Sequence, residues 1–177
     1  MDDLSLPEVR RLVAAANAVR RQRDASGGAV GPDDRSAERQ LDALFRTSHT
    51  LAVYGTLAPG QPNHHIVAPF GGEWTDGLIE GELLPEGWGA ALGYPGFRPR
   101  VGGAPVAVQV LSAPLLATAW PTLDRFEGPE YERILVPVFS TELNPGQAGE
   151  RRLYTVANLY AAAEASSGAA EPPTCGF

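Results

Sequence analysis

Two short segments of the 177-residue chain combine residue types and spacings that can do chemistry. The first is Tyr54-Gly55-Thr56-Leu57, followed by Gly60 and Asn63-His64. A strand that runs into a glycine turn brings consecutive backbone N–H groups towards one point, and such a nest holds a carboxylate or a developing oxyanion. The second is Leu123-Asp124-Arg125-Phe126-Glu127-Gly128, followed by Tyr131-Glu132-Arg133. If a helix ends at Gly128, then Leu123, Phe126 and Glu127 fall on roughly one face at spacings of three and four. A carboxyl that shares a face with Leu and Phe loses water, its pKa rises, and it becomes suited to general acid–base work near neutrality. The plainer alternative is that Glu127 pairs with Arg125 or Arg133 and only braces the helix. Spacing alone leaves both open.

Much other chemistry is excluded. There is no Gly-x-Ser-x-Gly elbow, no His-Glu-x-x-His, no dinucleotide glycine fingerprint and no phosphate-binding Walker sequence. All 14 basic residues are arginine, which removes Schiff-base and P-loop lysine chemistry. His64 and His65, with Asn63, lack a third ligand at a metal-binding spacing, so backbone hydrogen bonding is the simpler reading and no metal or other cofactor is expected. A net charge of −7 argues against nucleic acid as partner. The single cysteine, Cys175, excludes an internal disulfide and fits a reducing, cytoplasmic setting. Residues 101–123 carry no charge, but Pro105, Pro114 and Pro121 interrupt them, so they read as strand and helix of a soluble protein, with no membrane partner.

The elements that must position the two segments follow from periodicity. Residues 51–54, 77–84, 106–111, 132–141 and 151–162 read as strands. The fourth is apolar on both faces, and its Pro137 suggests an edge or a bulge. One helix is expected over 115–126, interrupted near Pro121, and residues 85–103 read as an ordered glycine- and aromatic-rich loop. The class is mixed α+β with a strongly twisted or barrel-like sheet. Residues 1–46 form an N-terminal helical extension: a helix to about Arg23 opened by a Ser5/Glu8 capping box, a Gly/Pro linker at 24–34, and a second helix over 36–46. The main domain then spans 47–164, and 165–177 read as a disordered tail.

The order Tyr-Gly-Thr-Leu, Gly-x-x-Asn-His, Gly-Tyr-Pro-Gly-Phe-Arg-Pro (residues 93–99) and Leu-Asp-Arg-Phe-Glu-Gly with Tyr-Glu-Arg resembles the γ-glutamylcyclotransferase-like family over about residues 49–163. The similarity is greatest to the branch of γ-glutamylamine cyclotransferases and plant avirulence-induced proteins. The resemblance implies a small β-barrel with flanking helices. It also implies a cofactor-independent reaction that converts a γ-glutamyl amine or dipeptide to 5-oxoproline and a free amine. Carried over by position, Tyr54, Gly55, Thr56 and Leu57 would hold the glutamyl moiety, Glu127 would be the acid–base residue, and Tyr131 and Tyr160 would line the pocket. Two departures touch the leaving-group side: Ala58-Pro59 stands where many relatives have a basic residue, and Pro121 precedes the Leu-Asp segment. Arg98 and Arg100 are candidates for a local effect on that side. Two other readings stay open: a non-catalytic module that binds a small acidic metabolite, and a scaffold that docks a partner, or a second copy, through residues 1–46.

Overall fold

A computed structural model describes residues 4–25, 27, 35–84, 96–143 and 151–163. The expected tail, most of the expected linker, residues 85–95 of the expected loop and Cys175 lie outside the described residues. The described elements are α1 (Leu6–Ala25), α2 (Ser36–Phe45), β1 (Thr50–Val53), β2 (Glu73–Leu84), β3 (Gly96–Pro99), β4 (Ala104–Ser112), α3 (Leu116–Glu127), β5 (Tyr131–Leu143) and β6 (Arg151–Ala162). Among the described residues no helix is long and apolar enough to cross a membrane.

The strands run in the order β3-β2-β4-β1-β6-β5, and β5 returns to β2 through Leu78 and Phe139, so five strands close into a barrel with β3 outside the ring on β2. All pairings are antiparallel except β1 with β6, which meet in parallel at Leu51 and Asn158. Period-two alternation sorts each strand between layers. Ala52, Val108, Val136, Ala157 and Leu159 fill the interior with Ile79 and Phe97. Leu51, Val53, Leu111 and Tyr160 face outward to α3, and Leu135 and Val156 face outward to α1 and α2. The two apolar faces of β5 are thus covered, one by the barrel interior and one by α1. A register shift follows Pro137, between Val138 and Phe139.

The interior is narrow enough to need glycine. A Cβ on Gly77 would lie 2.6 Å from the Val138 methyl, and one on Gly81 would lie 2.3 Å from the Phe97 ring and 2.4 Å from the Arg98 carbonyl. Gly81→Ala is therefore expected to cost about 2 kcal/mol, the scale of an overpacked core, read as a lower denaturation midpoint. An unchanged midpoint would mean that both the Phe97 ring and the β3 backbone at Arg98 give way without cost.

The seam between β5 and β2 has one residue pairing, and α1 crosses it. Arg10 donates from Nη2 to both oxygens of Glu80 on β2, at 2.8 and 3.0 Å. Asn17 donates to the Leu135 carbonyl and accepts from the Leu135 N–H, both at 2.8 Å, as a neighbouring strand would. Val9, Val13 and Ala16 bury on the same side with Leu41 of α2. Of the expected capping box one half forms, with Glu8 accepting from the Ser5 N–H at 2.8 Å; the Ser5 hydroxyl donates to the same carboxylate at 2.6 Å.

Three expectations are corrected. α1 runs on to Ala25, past Arg23. The region expected to be loop contains the strand β3, whose Phe97 is fully buried and pairs opposite Leu83. Helix α3 is continuous through Pro121 rather than interrupted or shortened. Proline removes one N–H and crowds the preceding turn, but Leu116, Ala119, Trp120 and Leu123 bury one stripe of this helix and hold it together.

Candidate active site

That buried stripe continues at the same spacing, so Glu127 lies one turn beyond Leu123 and against the barrel end. Gly128, at φ 75°, takes the left-handed-region backbone that ends the helix there and turns the chain into β5. The Glu127 carboxyl lines a cavity of about 330 Å³ with Tyr54, Gly55, Thr56, Leu57, Tyr131 and Tyr160. All seven residues expected from sequence are thus brought to one cavity. Burial alone pushes the Glu127 carboxyl up to about 7. Of the two cations that would have braced it, Arg125 and Arg133, the second is engaged elsewhere: Arg133 forks both oxygens of Asp124 at 2.7 and 3.2 Å and lies over the Trp120 ring. Among the described residues none forms an ion pair with Glu127.

The loop after β1 spends its carbonyls and spares its amides. Gly55 O accepts from the Ala58 N–H, and Thr56 O from the Asn63 N–H. His64 donates its Nδ1–H to Leu57 O, and Asn63 donates its side-chain amide to Thr56 Oγ1. Among the described residues no group accepts from the N–H of Gly55, Thr56 or Leu57, so three consecutive donors remain at the cavity wall for a ligand. His65 likewise donates to Pro62 O, which leaves both histidines of the loop as backbone braces.

The three phenols differ in what they have left to offer. Tyr54 donates to the Tyr160 carbonyl at 2.9 Å and packs against Phe97, and Tyr160 donates to Asp124 at 2.7 Å. The Tyr131 hydroxyl has no hydrogen-bond partner among the described residues and senses the Glu127 charge. Burial first, and nearby carboxylates or phenols second, push all three phenols upward, so they stay neutral donors at neutral pH. The structure adds Asn63, Phe126 and Glu130 to the lining. Asn63 was visible in the Gly-x-x-Asn-His spacing, but its service to Thr56 was not. Phe126 does not share the buried stripe as expected; it is 40% exposed and lines the cavity.

Comparison with known proteins follows the same lines. The family described as "Gamma-glutamyl cyclotransferase, AIG2-like" matches residues 51–172. No curated protein matches. Similar solved structures include an AIG2-like protein from Mus musculus at 23% identity, covering 67% of this chain and 80% of that one, with a TM-score of 0.47. A protein from Arabidopsis thaliana is 22% identical, with coverages of 70% and 72% and a TM-score of 0.42. One from Pyrococcus horikoshii is 18% identical, with coverages of 64% and 76% and a TM-score of 0.43.

Proposed function

This chain belongs to the gamma-glutamyl cyclotransferase, AIG2-like family, and from that premise we propose that it converts a γ-glutamyl amine or dipeptide to 5-oxoproline and free amine. The observation that carries the reading is a carboxyl held near neutrality by burial, without a paired cation among the described residues, in a cavity also lined by Gly55, Thr56 and Leu57, whose amides have no acceptor among the described residues. In a γ-glutamyl amide the α-nitrogen reaches the γ-carbonyl carbon and closes a five-membered ring, so the nucleophile arrives with the substrate. The neutral α-amine forms the new C–N bond and gives one proton to the Glu127 carboxylate. Glu127 returns that proton to the leaving nitrogen as the old C–N bond breaks. The substrate's two nitrogens exchange one proton through one carboxyl.

The rest of the cavity holds the curled conformer, which is where proximity contributes most of the rate. The amides of Gly55, Thr56 and Leu57 take either the α-carboxylate or the oxyanion that develops on the γ-oxygen; the latter is worth on the order of 3 kcal/mol per donor elsewhere. The Tyr131 hydroxyl supplies a further donor next to Glu127, and the rings of Tyr54 and Tyr160 form the walls.

The test is the pH dependence of kcat/KM for a γ-glutamyl amine. Glu127 accepts a proton only when ionised and the attacking α-amine must be neutral, so the rate is expected to rise with pH through about 7 and to level only once the substrate's own amine has lost its proton. A rate independent of pH between about 5 and 9 would remove Glu127 from the proton path.

A further inference from the structure

We propose that Arg20, on the N-terminal helix, is a positioning residue for the cyclisation cavity, acting through Arg133 and Asp124 on the hydroxyl of Tyr160; this rests on the cyclotransferase reading of that cavity. Arg20 is 5% exposed. It follows Val9, Val13 and Ala16 at helical spacing, on the stripe that faces the barrel, where an apolar side chain would be expected. Its guanidinium has a defined set of partners. Nε and Nη2 donate to Glu38 of α2, and Nη1 donates to Asn158 Oδ1 at 2.8 Å and to the Arg133 carbonyl at 3.4 Å.

Asn158 Oδ1 also accepts from Arg133 Nη1 at 3.4 Å, so two guanidiniums converge on one amide oxygen. Each is balanced by its own carboxylate, Glu38 for Arg20 and Asp124 for Arg133. Asp124 then accepts from the Tyr160 hydroxyl. The same Asn158 donates to the Thr47 carbonyl, just before β1 and the loop that carries the three free amides. One connected set of hydrogen bonds therefore runs from α1 and α2 to the cavity.

Two features make this more than ornament on the fold. The Asp124 side chain is 43% exposed, so its place is set by the Arg133 fork rather than by packing. Behind the phenols, Tyr131 and Tyr160 also line a second cavity of about 620 Å³ that Arg20 and Arg133 share. Tyr160 is itself buried, and Asp124 is the acceptor that its hydroxyl has among the described residues. A buried ion pair is a weak stability device, often matched by an apolar side chain of similar volume. Methionine at position 20 would fill the stripe; it would donate neither to Asn158 Oδ1 nor to the Arg133 carbonyl.

The test uses full-length protein carrying Arg20→Met, Tyr160→Phe and both, with Arg20→Lys as the variant that keeps the charge but not the fork. Tyrosines labelled with ¹³C at Cζ report hydroxyl hydrogen bonding, and Tyr160→Phe identifies the Tyr160 signal by its loss. In Arg20→Met that signal is expected to move, and kcat for a γ-glutamyl amine to fall about tenfold with KM changed less. In the Tyr160→Phe background the same substitution is expected to add less than about twofold, because the two residues act in one path. Should Arg20→Met fail to fold, Arg20→Lys carries the same comparison. An unmoved Tyr160 signal in a folded variant, or losses that simply multiply, overturns the proposal. A moved signal in a protein that cyclises none of the γ-glutamyl amines overturns the cyclotransferase reading and leaves the link from Arg20 to Tyr160 standing.

Discussion

Glu127→Gln is expected to lower turnover of a γ-glutamyl amine by about 10³-fold, within the range that general acid–base groups contribute, while 5-oxoproline still binds. Glutamine keeps the shape of the side chain and its place at the end of α3, but it neither accepts nor returns the proton. The same substitution is expected to stabilise the protein at alkaline pH, and the sign follows from linkage. Glu127 has a folded-state pKa of about 7 against an ordinary 4.5, so the folded state holds a proton that the unfolded state releases. Stability is lost as pH rises from the lower value through the higher one, and above it the ionised carboxyl is a standing cost with a ceiling of about 3 kcal/mol. Glutamine has no such cost. The thermal midpoint of Glu127→Gln should exceed that of the wild type at pH 8 and match it near pH 4. Equal midpoints at both would mean that the carboxyl is solvated, and its assigned chemistry would lose its physical basis.

Removal of α1, residues 6–25, is expected to unfold the barrel rather than release an appendage. Val9, Val13 and Ala16 cover Leu135 and Val156, and Asn17 supplies the two backbone hydrogen bonds that a strand would otherwise give Leu135. At about 1.5–3 kcal/mol for each large apolar side chain returned to water, the loss is on the order of 5 kcal/mol, comparable with the whole stability of many domains. The measurement is a denaturant titration of the truncated protein, which should show no cooperative transition at the wild-type midpoint. An unshifted transition would make the helices a detachable arm after all.

How far the sequence carried each of these features depended on what kind of information they need. The bounds of β6 and the placing of Leu123 and Glu127 on one face of α3 follow from local periodicity and stand in the structure, whereas Phe126, expected on that face, lies outside the buried stripe. Strand β3 did not read as one because four residues around glycine and proline carry no period, and only the pairing with β2 makes them extended. Pro121 argued for a break, but burial of Trp120 and Leu123 overrode local preference.

Asn17 and Arg20 were hidden for a different reason. Polar residues on a helix read as its wet side, and it is the fold that places Arg20 after Val9, Val13 and Ala16 in the buried stripe. Their partners, Leu135 and Asn158, are more than a hundred residues away in sequence, and no periodicity announces that pairing. The same holds for Arg133, whose choice of Asp124 over Glu127 decides whether Glu127 is a brace or an acid. Two residues separate the two candidates in sequence, and only the fold distinguishes them.

The central claim is that the substrate's own α-amine, not water, displaces the leaving amine in this cavity. It is tested most directly by identifying the products when the protein is incubated with a γ-glutamyl amine. The account predicts 5-oxoproline and free amine in equal amounts. Free glutamate formed alongside the amine would contradict it, because that product requires water as the nucleophile.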